Sequence, residues 1–119
     1  MTTNNYPNIG YTTLGFDRNF FKKVAVSATT FGGDSADGYQ PDVVITFNTV
    51  GLMFLNLGSG ATSVIEYSFN GQTVHGELNP TNASAALSFD NRPVSKIWFR
   101  VQAGSSGTIN ISVQAWSTA

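Results

Sequence analysis

From Lys22 to the end of the chain, apolar residues recur at every second position in short runs, and the runs stop at Gly, Asn, Asp or Pro. Nowhere do they hold the three-and-four spacing of a helix for the length a helix needs. A helix with no continuous apolar stripe has nothing to bury, whereas a pleated strand places alternate side chains on one face. The chain therefore reads as all-β, with about eight strands, at residues 24–31, 43–50, 52–57, 64–69, 72–78, 83–89, 94–101 and 108–116. Short strands divided by frequent turns pack as two antiparallel sheets, so the expected fold is an antiparallel β-sandwich, jelly-roll or immunoglobulin-like.

Alternation also assigns faces. In the last two strands Ile97, Phe99 and Val101 pair with Ile109, Ile111 and Val113 as the core side, which turns Lys96, Trp98, Arg100, Asn110, Ser112, Gln114 and Trp116 outward. Asn70-Gly71 is the strongest hairpin signal, because both residues tolerate the positive φ of a type I′ turn. A two-residue turn there pairs Phe69 with Gln72, Ser68 with Thr73, Tyr67 with Val74 and Glu66 with His75.

Residues 1–21 break the pattern: Asn, Thr, Gly and Pro are interspersed with the single aromatics Tyr6, Tyr11, Phe16, Phe20 and Phe21, with no clear period. They read as an extended N-terminal arm, followed by a sandwich domain at 22–119. Disordered tails are usually poor in aromatics, so the arm is expected to dock on a neighbouring subunit, a free tail being the alternative.

At 119 residues the chain builds one core, not two. Charged residues are 11% of it, against roughly 25% in typical soluble domains, so little of the surface is kept apart by charge. A polar surface of Ser, Thr, Asn, Gln and Gly, with 13% aromatics, suits permanent contacts, although extracellular β-proteins share it. The net charge of −1 offers no broad basic surface, and nucleic acid is not expected as a partner. No run approaches the ~18 apolar residues of a membrane helix, and the start Met1-Thr2-Thr3-Asn4-Asn5-Tyr6-Pro7 has neither the basic nor the apolar part of a secretory signal. Synthesis in the cytoplasm without a membrane partner is the expectation. The absence of cysteine removes disulfides, thiolate zinc sites and thiol catalysis together.

The candidate chemistry is thin. Glu66 facing His75 would make either an acid–base pair or an ordinary cross-strand surface pair, and nothing places a nucleophile beside it. Asp34-Ser35-Ala36-Asp37-Gly38 with Asp42 is rich in oxygen but lacks the ligand spacing of a calcium loop. Asn82-Ala83-Ser84 and Asn110-Ile111-Ser112 match a glycosylation triplet that needs export to matter. No catalytic, metal or cofactor residue is assigned, no cofactor is expected, and the chain reads as a non-enzyme. Two tryptophans on an outward face, with Arg100 between them in the pattern, are interface candidates, unless a bulge or the arm covers them. A sugar-stacking platform uses the same residue type.

Two segments are familiar: Val64-Ile65-Glu66-Tyr67-Ser68-Phe69-Asn70-Gly71-Gln72-Thr73-Val74-His75-Gly76-Glu77-Leu78, and Val94-Ser95-Lys96-Ile97-Trp98-Phe99-Arg100-Val101 with Val113-Gln114-Ala115-Trp116 further on. With the turn Asp90-Asn91-Arg92 between them, they resemble small virion structural proteins of tailed bacteriophages. The resemblance covers the C-terminal half of the chain. It implies a decoration or cement protein on the outer capsid surface, tying major capsid protein subunits together, often as a homotrimer. A tail-fibre or baseplate accessory, or a carbohydrate-binding module, is the alternative.

Overall fold

A computed structural model describes residues 18–32 and 40–117 of the chain. Among these residues eight strands form: β1 (Arg18–Val26), β2 (Val43–Val44), β3 (Gly51–Asn56), β4 (Ile65–Ser68), β5 (Gly76–Leu78), β6 (Ala86–Asp90), β7 (Lys96–Val101) and β8 (Ile109–Ser117), with one 3-10 turn at Ala83–Ala85. They make two four-stranded sheets, in the orders β1-β8-β3-β6 and β2-β7-β4-β5, with every pairing antiparallel. All links between consecutive strands cross from one sheet to the other, except the β4–β5 hairpin. That order is a jelly roll. The immunoglobulin alternative falls, because its first two strands share a sheet and β1 and β2 do not.

The core lies between the sheets. Ile97, Phe99, Val101, Ile109, Ile111 and Val113 are all buried, as their alternation requires. They do not pair as a hairpin, however: β7 lies between β2 and β4, β8 between β1 and β3, and the two rows meet across the sandwich. Phe54 of β3 sits at the centre, its ring 5.3 Å from those of Tyr67 and Phe99 and 5.6 Å from that of Phe89, all edge-on. Such contacts add about 0.5–1.5 kcal/mol each beyond burial.

Two buried polar side chains pin the links. Asn56 Nδ2 donates to the carbonyls of Ser63 at 2.7 Å and Leu78 at 2.8 Å, while its Oδ1 accepts from the Gly58 amide at 2.8 Å. Thr49 donates its hydroxyl to the Arg92 carbonyl and accepts the Val94 amide at 2.9 Å, joining the β2–β3 and β6–β7 links.

Two further sequence expectations change. Strand β1 begins at Arg18, so Phe20 and Phe21 belong to the sandwich rather than to the arm, opposite Ala115 and Gln114 of β8. Two phenylalanines followed by two lysines hide the period-2 pattern that the backbone nevertheless follows. Tyr6, Tyr11, Phe16 and the rest of the arm lie outside the described residues. The hairpin pairs Ile65 with Leu78, Glu66 with Glu77 and Tyr67 with Gly76, two residues out from the expected register. A type I′ turn needs positive φ at both central residues, and only Gly71 adopts it, at 78°. Instead, side chains close a wider loop: Asn70 Oδ1 accepts from the amides of Gln72 and Thr73 at 2.9 Å each, and Ser68 Oγ accepts from that of Gly71 at 3.0 Å.

Candidate functional site

The outer face of the β1-β8-β3-β6 sheet is set by register. Asn19, Trp116, Gly51 and Asp90 form one row across it, Phe21, Gln114, Met53 and Ser88 the next, and Lys23, Ser112, Leu55 and Ala86 a third. Phe21 is 62% exposed, Leu57 just beyond β3 45% and Trp116 38%, and Leu55 is exposed with them. The side chains of Lys23 and Asp90 are the only formal charges in the three rows, and both stand on the outermost strands.

Gly51 lets Trp116 pack close to this face. A Cβ there would overlap the Trp116 ring, so the indole packs directly against the strand's backbone at Gly51. The signal for an outer contact face was present in β3 itself, Gly-Leu-Met-Phe-Leu-Asn, which is apolar on both sides. Leu52 and Phe54 are buried in the core while Met53 and Leu55 point away from it. A strand with one wetted face alternates; a strand apolar on both faces has two surfaces to cover.

Of the candidate contact residues, Trp116 and Phe21 share this face. Phe20 turns inward and packs partly buried against the core. Trp98 is 7% exposed and does not face solvent. The widened β4–β5 loop folds over it, so closely that a Cβ on Gly71 would come within 2.9 Å of the indole. Alternation placed Trp98 on the outer side of its sheet correctly; burial comes from the loop, which strand periodicity does not describe.

Arg100 is occupied internally. Its Nε donates to Glu66 Oε1 at 2.7 Å, and its guanidinium stands 4.5 Å from the centre of the Phe31 ring. Glu66 therefore faces Arg100 on one side and Glu77 on the other, not His75. His75 Nδ1 instead accepts the Phe69 amide at 3.0 Å, and the acid–base pair suggested by the sequence does not form. Asp34 and Asp37 lie outside the described residues. Asp42 is structural: its Oδ2 accepts the Phe99 amide at 2.8 Å, extending the short β2–β7 ladder with a side chain. Burial holds the Asp42 carboxyl above its usual value, against the pull of that amide and of Lys22. Burial also raises the Tyr67 phenol, with Arg92 opposing.

No protein family and no curated protein matches the sequence.

Proposed function

We propose that the chain is a non-enzymatic virion structural protein that binds the outside of a phage capsid and stabilises contacts between major capsid protein subunits. The supporting observation is the outer face carrying Phe21, Leu55 and Trp116, with charge in its three rows only on the outermost strands. Depletion of charge with retained aromatics is the composition of interface centres. The jelly-roll order is in keeping with this, since the fold recurs in viral capsid proteins, though it also recurs in lectins and assigns no function alone. A cement protein acts by mass action: contacts present only on the assembled shell favour that shell. A trimer at threefold positions is the expected assembly.

The test is co-sedimentation of the full chain with shells of the major capsid protein it accompanies, comparing wild type with Phe21→Ser and Trp116→Ser. Both side chains lie outside the core, so the variants should fold. Loss of co-sedimentation is expected; wild-type decoration by both folded variants removes the reading.

A second reading keeps its place because the Trp116 ring is partly exposed while packed against Gly51, and an exposed aromatic ring is what a sugar stacks on. It makes the protein a tail-fibre or baseplate accessory or a carbohydrate-binding module. Glycan binding lost on Trp116→Ala, with shell binding intact, would favour it.

A further inference from the structure

The chain has six lysines and arginines. Among the described residues only Arg100 is ion-paired. Three of the others, Arg18, Arg92 and Lys96, gather at the end of the sandwich where the β2–β3, β4–β5 and β6–β7 links meet. Two adjoining hollows open there and share Ser95. One, of about 230 Å³, has Arg92 and Lys96 on its wall with Phe69 and Val94; the other, of about 300 Å³, has Arg18 with Ile45 and Phe47. Among the described residues no acidic one lines either.

Arg92 is held in place before any ligand arrives. Its guanidinium lies 4.6 Å from the centre of the Phe69 ring and 5.8 Å from that of Phe89. Its backbone is fixed by the Thr49 hydroxyl on its carbonyl and by the Asn91 amide, which donates to the Val50 carbonyl at 2.7 Å. Stacking on a ring uses the face of a guanidinium and not its N–H donors, the fork that takes a carboxylate in two parallel hydrogen bonds. Holding the fork rigid lowers the ordering cost of binding.

We propose that this end of the sandwich binds an extended acidic segment of a partner polypeptide, with carboxylates on Arg92, Lys96 and Arg18 and apolar side chains against the half-buried Phe47. Three cations over apolar floors suit a peptide that alternates acidic and apolar residues. A phosphate backbone would call for a longer basic stripe without such floors. The site is separate from the outer sheet face, so it goes beyond the shell reading and stands or falls independently of it.

The experiment is fluorescence anisotropy of a labelled peptide of alternating glutamate and valine, titrated with the full chain at low salt. Controls are the matching lysine–valine peptide and a single-stranded oligonucleotide. Each exposed charge pair contributes up to about 1 kcal/mol, so Arg92→Gln with Lys96→Gln should weaken binding about tenfold. Because Arg92 also packs on rings, Lys96→Gln and Arg18→Gln are measured singly, each expected to weaken binding severalfold in a protein whose melting is unchanged. Lys23→Gln, on the outer sheet face, should leave binding as it is, and added salt should weaken the wild type. Equal affinity for the lysine peptide, tighter binding of the oligonucleotide, or an equal loss with Lys23→Gln would overturn the proposal.

Discussion

Replacing Asn56 by alanine tests the account of how the two sheets are tied together. The side chain is 4% exposed and makes three hydrogen bonds, two donated to carbonyls and one accepted from an amide, all between 2.7 and 2.8 Å. One acceptor, the Leu78 carbonyl, belongs to β5 of the opposite sheet. A net contribution near 1 kcal/mol per bond, with partners left unsatisfied after truncation, gives a loss of about 2–4 kcal/mol. In a domain of this size that lowers the melting temperature by roughly 10–25 °C. Urea unfolding followed by tryptophan fluorescence should show a lower midpoint with an unchanged slope. Asn56→Asp sharpens the test: it keeps the shape but aims a carboxylate at two carbonyl oxygens, so it should lose at least as much at neutral pH and recover in part as acid protonates it. A loss below about 1 kcal/mol for the alanine variant, or wild-type stability for the aspartate variant at pH 7, would refute the reasoning.

Asp42 gives a pH dependence with a definite sign. Its folded carboxyl lies above the ordinary 3.8, so just above that value the native state holds more protons than the unfolded one, and this group's contribution to stability falls as pH rises through the folded value. Asn at position 42 still accepts the Phe99 amide, so Asp42→Asn should flatten that slope and be at least as stable at neutral pH, whereas Asp42→Ala orphans the amide and costs about 1–3 kcal/mol. Gly71→Ala forces a left-handed φ of 78° on a side chain and crowds Trp98 at 2.9 Å; it should cost about 1–3 kcal/mol and shift tryptophan emission to the red as the loop lifts.

Much of the core was legible because alternation is a property of the strand itself. Ile97 and Phe99 in β7, and Ile111 and Val113 in β8, could be assigned to the interior from spacing alone, whereas β3, apolar on both faces, offered no such choice. Which strand pairs with which could not, since the crossing links are stabilised by distant bonds such as Thr49 to the β6–β7 link. The hairpin register was misread because Ser68 and Asn70 offered the backbone acceptors that a two-residue turn would have replaced. For the contact face, Trp116 was readable and Phe21 was named in the wrong segment. Trp98 and Arg100 failed as surface residues for one reason: a loop ring, a loop backbone or a cross-strand carboxylate had already taken them.

The strand order has a consequence for synthesis. Among the described residues, β1 has only β8 beside it and β2 only β7, so the earliest strands to leave a ribosome wait for the latest. Pairings this distant in sequence form slowly, and until they do β1 is an open edge carrying Phe20 and Phe21. Lys22 and Lys23 follow those rings directly, and like charges in the middle of an open strand oppose its stacking on a second copy. That is the placement of gatekeeper charges, on a strand that stays at the sheet edge even after β8 has paired with it.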